Sequence, residues 1–510
     1  MFEAAELGRE ISKSDYKAQL PDLRAEILQT QFALSKSNRP VIILISGVDV
    51  AGRGDVVNAL NEWLDTRGVE TFSFEKTSDE ESERPDYWRY WRSLPARGRI
   101  GVFFGAWYVE PIRNYAYDKI DAACMDDSLG QIRRLEKLMV DDGTIIIKFW
   151  LHLSHKEQVK RLKKMEKDPN ALRRVSKRDW KHVKLYDRFS AAAERAIRST
   201  DTGDSPWLLV ESTDPYYRDL TVGRTVLETI RKQLELDAIN DSDNSSDNAS
   251  KELTTSTQTS NLDTTDSSPK AALTVLDHVD LNQKLEPKEY RKQLKIYQGK
   301  LNRLVWAANA KKRSTVIVFE GWDAGGKGGS LRRMTQAMDA RLYQVISTAA
   351  PTDEEQAHHY LWRFWRQIPR AGHFTIYDRS WYGRVLVERV EGYAKEHEWT
   401  RSFLEINNFE ESLVNHGTLL LKFWIHISPE EQLRRFEERE KIAYKRHKLT
   451  EEDWRNREKW DAYKIAVNDM VARTSTNYAP WTLVAGNDKK FARIQVIKTV
   501  CKRMEAILYS

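Results

Sequence analysis

Cysteine is almost absent: Cys124 and Cys501 are the only thiols in 510 residues. Two thiols supply neither a disulfide framework nor a multi-thiolate metal site, and a reducing cytoplasm is the expected compartment. Long apolar runs are missing as well. No stretch approaches the roughly 18 uncharged apolar residues that a membrane span needs. The best candidate, Thr418 to Ile427, is short and contains Lys422. The opening Met1-Phe2-Glu3 lacks the basic-then-apolar pattern of a secretory signal, so neither secretion nor membrane insertion is expected. One segment, Asp237 to Lys270, has no aromatic residue, is rich in Ser and Thr, and sets seven acids against two bases. Such a stretch cannot bury enough apolar surface to offset its ordering entropy, and residues 236–278 read as a disordered acidic Ser/Thr-rich linker.

What is present is a globular composition, 40% hydrophobic and 31% charged. It excludes a wholly disordered, collagenous or small disulfide-stapled chain. The length suggests two to four domains at roughly 100–200 residues each. The net charge of +6 comes from 82 basic and 76 acidic residues. With −5 in the acidic segment, the remainder carries +11. A basic folded part favours polyanions such as nucleic acid, nucleotides or polyphosphate, although ordinary solubility explains the same balance.

The organisation is a duplication. Trp88-Arg-Tyr-Trp-Arg92 recurs as Trp362-Arg-Phe-Trp-Arg366, Lys148-Phe-Trp150 as Lys422-Phe-Trp424, and Pro206-Trp207 as Pro480-Trp481, each 274 residues on. The constant offset means two copies of one domain, too long a period for a solenoid. Within the second copy, Thr315 to Glu320, His373 to Asp378, Thr418 to Ile427 and Trp481 to Ala485 read as strands. Helical patterns lie between them, one opened by Ser428-Pro-Glu-Glu431 as a capping box with proline at the first position. Strands alternating with helices imply a parallel sheet covered on both faces.

After the first of these strands comes Gly321-Trp-Asp323-Ala-Gly325-Gly326-Lys327-Gly328-Gly329. This is Gly-x4-Gly-Lys between a strand and a helix. Its glycines let backbone N–H groups surround phosphate oxygens, the helix N-terminus adds a favourable dipole, and Lys327 neutralises transferred charge. The usual Ser/Thr after the lysine is Gly328, so one magnesium ligand is missing, a role Asp323 could take through metal-bound water. A plain strand-to-helix turn with a surface lysine is the alternative. The second element, Tyr377-Asp378-Arg379-Ser-Trp-Tyr-Gly-Arg384, places Asp378 at a strand's carboxyl end to hold magnesium, and Arg379 to grip a phosphoryl group in a forked contact. The first copy reads Gly47-Val-Asp49-Val-Ala-Gly52-Arg53-Gly54, with Phe104, Gly105 and Ala106 where Asp378, Arg379 and Ser380 stand. Arginine is not a conservative replacement for the loop lysine. With the polar chemistry replaced, the first half reads as a catalytically silent fold.

A third region is dense in cations: Arg434, Arg435, Arg439, Lys441, Lys445, Arg446, His447 and Lys448. It reads as a lid over phosphates or, alternatively, as a solvated basic face. Arg332 and Arg333 could extend a polyanion track. The Trp-Arg repeat reads as a helix burying its tryptophans while the arginines snorkel. His358 and His359 receive no role. No base is apparent near the loop. A nucleotide phosphate acceptor would need none, because its second pKa is about 6 by analogy with phosphoserine. An ATP-dependent kinase and a non-catalytic polyanion-binding protein stay open at this point.

These motifs, with Val385-Leu-Val-Glu388-Arg389 extending the second, resemble the polyphosphate kinase 2 family. The resemblance spans both halves. It implies tandem P-loop kinase-like α/β domains, each a parallel sheet flanked by helices with a helical lid: a degenerate copy at 1–235 and a catalytic copy at 279–510. It implies that Asp323, Lys327, Asp378 and Arg379 are catalytic, that Arg439 is the lid arginine, and that Asp323 and Asp378 position Mg2+. Gly325, Gly326, Gly328, Gly329, Arg332, Arg333 and Lys445 complete the expected phosphate contacts. The fused form is similar to members that convert AMP to ADP with inorganic polyphosphate. Phosphorylation of ADP or GDP is the alternative within the family. The expected partners are polyphosphate and AMP/ADP, with no nucleic acid and no membrane, in a homo-oligomer.

Overall fold

The computed structural model describes residues 1–74, 76–168, 175–251, 274–441 and 451–509. The chain forms two compact units. Unit 1 comprises Met1–Thr77, Arg89–Asp263 and Asp353–His359, and unit 2 comprises Ser78–Trp88, Thr264–Thr352 and Tyr360–Ser510. Among the described residues each unit holds one all-parallel sheet of five strands.

In unit 1 the strands are β1 (Val41–Gly47), β2 (Val69–Ser73), β3 (Ile100–Phe104), β4 (Ile145–His152) and β5 (Trp207–Glu211), in spatial order β2-β3-β1-β4-β5. In unit 2 they are β6 (Thr315–Gly321), β7 (Tyr343–Ser347), β8 (Phe374–Asp378), β9 (Leu419–His426) and β10 (Trp481–Ala485), in the matching order β7-β8-β6-β9-β10. The central strands are continuous apolar runs because helices cover both faces of the sheet. All eight residues of β9 are buried, as are six of the seven in β6. Ile317, Phe319, Phe374, Ile376, Leu421, Phe423 and Ile425 form the heart of the unit 2 core. The first strand of each unit lies where the chain order reverses direction across the sheet. The carboxyl end of that strand is therefore the natural crevice for a ligand.

The strands expected from sequence are present with ends shifted by at most one residue, and Trp481–Ala485 coincides. His373 falls outside β8 because its N–H donates to the Arg370 carbonyl in a turn. β7 carries no clear apolar signal: it is an edge strand with no fully buried residue. The helix Pro215–Lys251 runs well into the segment read as linker. Elongating an existing helix needs no new nucleus, so polar residues can continue it. Residues 252–273 of that segment lie outside the described residues. At its far end Val275–His278 forms a short 3-10 turn. There Leu276 is buried, its N–H donates to Asn468 Oδ1 at 3.3 Å, and Asp277 pairs with Lys464 at 2.9 Å.

The matched Lys-Phe-Trp motifs mark a buried ion pair in each unit. Lys422 on β9 donates to Glu410 Oε2 at 2.6 Å and to the Thr474 carbonyl at 2.7 Å. Glu410 Oε1 accepts from Tyr382 Oη at 2.6 Å and Trp381 Nε1 at 3.1 Å. Burial pushes the Glu410 carboxyl up and the Lys422 ammonium down, so each charge depends on the other. Lys148, Glu136, Tyr108, Trp107 and Thr200 repeat the arrangement in unit 1. Removing one partner strands the other. Lys422→Met is expected to cost about 3–5 kcal/mol, and Lys422→Met with Glu410→Leu to recover most of that, in chemical denaturation.

Candidate active site

The loop after β6 leaves the strand against its neighbour. Gly321 has φ +148°, and a Cβ there would lie 2.6 Å from the Ile425 carbonyl oxygen of β9. Ala324, a non-glycine residue, is also left-handed at φ +57°, and Gly326 at φ +116° caps the helix Lys327–Thr335. The Lys327 ammonium curls back over the loop, donating to the Gly321 carbonyl at 2.5 Å and the Trp322 carbonyl at 3.4 Å. Gly325 lies in the loop, and Gly328 and Gly329 lie in the first turn of the helix. Gly328 has nothing within 4 Å of a built Cβ. Arg332 is exposed and Arg333 half-buried one turn on. Neither guanidinium has a hydrogen bond or ion pair among the described residues.

The second motif meets the loop because β8 is hydrogen-bonded to β6, with Asp378 in register with Phe319. The Arg379 N–H donates to the Phe319 carbonyl at 3.1 Å. Arg379 then turns left-handed at φ +63° and aims its guanidinium at Asp323 Oδ1, 3.0 Å away, with Glu452 at 3.5 Å. Asp323 Oδ2 accepts from Asn456 Nδ2 at 2.9 Å. Burial alone would raise the Asp323 carboxyl, but Lys327 and Arg379 outweigh it and hold the group below the usual range. Burial likewise disfavours charge on Arg379, but Asp323, Glu320 and Glu452 outweigh it and raise that group. The Asp378 carboxylate, half-buried at the strand end, has no partner among the described residues. Among the described residues no group of three or more His, Cys, Asp or Glu side chains is placed to hold a metal there. A cation at this point would thus rest on Asp378, the loop carboxylate and the substrate's own phosphates.

Several supporting residues were not read from the sequence. Glu320, at the end of β6, accepts from Ser380 Oγ at 2.8 Å, and burial raises its carboxyl. An acid inside an otherwise apolar strand was the available signal. Arg435, read as part of a cation-dense lid or, alternatively, of a solvated basic face, is instead buried under the loop. It donates to the carbonyls of Ala324, Gly325, Gly486 and Asn487 at 2.6–3.1 Å and pairs with Glu431 at 2.5 Å. That pairing, shared with Arg434, takes the Glu431 carboxylate. The expected capping box is accordingly half formed. Ser428 Oγ accepts from the Glu431 N–H at 3.2 Å, while the Ser428 N–H donates to Asn487 Oδ1. Arg439 is half-buried on the same helix, Pro429–Lys441. Lys445, Arg446, His447 and Lys448 lie outside the described residues. Trp362 and Trp365 are buried as expected, with the Arg366 guanidinium over the Trp362 ring.

Trp322 ties the loop to the sheet. It stacks on Trp460 at 3.6 Å, and its Nε1 donates to His426 Nδ1 at 2.9 Å. Burial lowers His426 to about 4, so the ring is neutral and available as an acceptor.

In unit 1 the backbone is the same and the charges are rearranged. Gly47, Val50, Gly52 and Gly105 are left-handed where Gly321, Ala324, Gly326 and Arg379 are. Arg53 pairs with Asp49 at 3.0 Å and lies over the Phe104 ring, which has replaced the Asp378 carboxylate. Asp49 also pairs with His182. The polar chemistry has therefore been rebuilt among other residues rather than erased.

Two outcomes follow for this site. Gly328→Ser, which puts the usual loop hydroxyl into open space, is expected to fold normally and to gain about 0.5 kcal/mol of helix stability in thermal melts. Neutral His426 favours the folded state. Between the unfolded value of 6.5 and the folded value of about 4 the unfolded chain binds more protons. This contribution is complete above pH 6.5 and is lost as pH falls towards 4, by about 3 kcal/mol. Denaturation at a series of pH values should show His426→Gln, which keeps an acceptor, losing that much less than the wild type.

The polyphosphate kinase 2 family model matches residues 10–237 and again 284–508. The chain is 46% identical to a polyphosphate:AMP phosphotransferase of Pseudomonas aeruginosa over 507 residues, covering 99% of both chains. It is 44% identical to a protein of the same name from Pseudomonas syringae pv. tomato, covering 99% of this chain and 98% of that one. A crystal structure of a polyphosphate kinase 2 from Pseudomonas aeruginosa PA01 superposes with a TM-score of 0.87 at 44% identity, covering 100% of both chains. With both copies matched and the whole length paralleled, the chain belongs to the polyphosphate kinase 2 family.

Proposed function

We propose that this protein is a polyphosphate:AMP phosphotransferase of the cytoplasm, in which unit 2 carries out the reaction. The observation that carries the assignment to unit 2 is the Asp378 carboxylate, unpartnered among the described residues, beside a loop whose Asp323 pairs with the left-handed Arg379 and whose Lys327 rests on the Gly321 carbonyl. The names of the full-length relatives support the substrate pair.

In this reading the loop amides and Lys327 receive the terminal phosphates of polyphosphate, with Lys327 exchanging the Gly321 carbonyl for phosphate oxygen. Arg332 and Arg333 extend the cationic track. An oxygen of the AMP phosphate attacks the terminal phosphorus, the anhydride P–O bond breaks, and the shortened chain leaves with the electron pair. The acceptor is already anionic at neutral pH, which fits a site without a dedicated base. The protein aligns the groups and neutralises charge, through Arg379 and, from the lid helix, Arg439. Mg2+, held by Asp378 and by Asp323 once one of its present partners is displaced, would supply further neutralisation. Unit 1, with Phe104 and Gly105 at the two decisive positions, does not transfer phosphate.

ADP formation from AMP, Mg2+ and polyphosphate in the absence of ATP tests this function, with GMP, ADP and GDP assayed in parallel. Turnover only with ATP as donor would sink it. Lys327→Ala is expected to lower the rate by at least about 10²–10³-fold, in the range seen when one preorganised charge-stabilising group is removed. Arg53→Ala should keep most of it, and equal losses would refute the division between the units.

A further inference from the structure

Unit 1 contains a cavity of about 200 Å³ beside its altered loop, lined among others by Ser46, Val48, Trp150, His152 and Gln158. Four polar atoms of these residues are buried without a hydrogen-bond partner among the described residues: Ser46 Oγ, Trp150 Nε1, His152 Nδ1 and Gln158 Oε1. The parent side chains are 1–7% exposed. Each such atom costs roughly 1–3 kcal/mol if nothing satisfies it.

For three of the four, the corresponding positions of unit 2 show what unit 1 has given up; the fourth counterpart, Trp424 Nε1, is unpartnered there too among the described residues. There Glu320 accepts from Ser380, His426 Nδ1 accepts from Trp322, and Gln432 Oε1 accepts from Arg457 at 3.2 Å. At the matching positions unit 1 has Ala106, Val48 and Val183. Three internal donors have disappeared around one spot. Replacing Trp322 by Val48 also removed the indole that stacks on Trp460, whose counterpart is Tyr186. Apolar filling has not followed. The acceptors of His152 and Gln158 and the space remain, Ser46 stands where Glu320 does, and aromatic residues including Tyr186 and Phe189 line the same cavity.

We propose that this cavity is a second, non-catalytic site for a purine nucleoside monophosphate. Trp150 Nε1 is a donor and Gln158 Oε1 an acceptor. His152 Nδ1 is an acceptor when its Nε2 donates to Glu6 at 2.8 Å, and Ser46 Oγ serves either way. That mixture suits a purine edge, with its ring-nitrogen acceptors and its N–H donors. The rim suits a phosphate. Arg53, Arg113 and Arg178 line the opening, the first paired with Asp49 and the second with Glu110 at 2.9 Å. Asp49 is shared between Arg53 and His182. The cavity is ample for more than water, which needs only about 10–15 Å³ of such volume.

The test is equilibrium dialysis of AMP against the full chain without polyphosphate. Val48→Trp returns to unit 1 the indole that unit 2 carries at Trp322 and should fill the cavity. The wild type is expected to bind one more equivalent of AMP per chain than Val48→Trp, while ADP formation by the variant stays within about twofold of the wild type, since Val48 belongs to unit 1 and has no part in the proposed reaction. Arg178→Glu, an exposed rim change to the residue present as Glu452 in unit 2, should weaken the extra equivalent at least tenfold and covers the case in which Val48→Trp does not fold. Adenosine should displace that equivalent, and orthophosphate at the same concentration should not. Equal stoichiometry and affinity in the wild type and the variants would overturn the proposal, as would displacement by orthophosphate alone. The ADP assay is read separately, so loss of this site and loss of the catalytic reading are distinguishable.

Discussion

The approach of one backbone turn to the neighbouring strand is the constraint on which both units are built. Gly321 sits against the Ile425 carbonyl, and Gly47 sits in the same way against that of Leu151. Any Cβ at either position would collide with main chain that cannot move without opening the sheet. Because the turn is pinned there, the following helix starts at a defined point, its first N–H groups face the crevice, and the residue two places after the glycine, Asp323 or Asp49, is delivered to the same spot in both units. Arg435 reinforces the turn in unit 2 by bonding the loop carbonyls from beneath. The scaffold is thus independent of the charges it presents, which explains how unit 1 keeps the path while exchanging the chemistry.

Position 379 shows the exchange in energetic terms. Both units need a left-handed residue directly after the third strand in chain order, and unit 1 supplies Gly105, for which that conformation is free of Cβ strain. Unit 2 keeps Arg379 there at φ +63°, at a cost of about 1–2 kcal/mol. A strained arginine is retained where its guanidinium reaches the loop carboxylate, and the strain is relieved where no such reach is used. The same contrast runs through Phe104, which gives the Arg53 guanidinium an aromatic face in place of the vanished carboxylate. Cation and carboxylate have changed together, leaving neither stranded.

The loop, the Asp378-Arg379 motif and the repeat were legible in the sequence because each is local or periodic. Glycine spacing reports the turn directly, and a fixed offset of 274 exposes the duplication. Glu320, Asn456, His426 and the anchoring role of Arg435 were not legible. The partners that place them are 51 to 133 residues away, and nothing in a short window separates a buried arginine bonded to carbonyls from a solvated one in a row of Arg and Glu. The edge strand β7 and the helical continuation beyond residue 236 were missed for a related reason. Edge strands carry little apolar alternation, and a helix already formed can extend through residues that would not begin one.

The amino-acid order by itself determined the α/β alternation, the duplication, and which copy keeps a lysine, an aspartate and an arginine suited to phosphate. Those properties depend on residue type and spacing alone. Only the tertiary structure decided that Asp323 is shared between Arg379 and Asn456, that Lys327 rests on loop carbonyls, and that the side chains of Ser46, Trp150, His152 and Gln158 in unit 1 line one cavity. Those facts depend on strands and helices distant in the chain being brought side by side, and a hydrogen bond exists only once both of its ends have been placed.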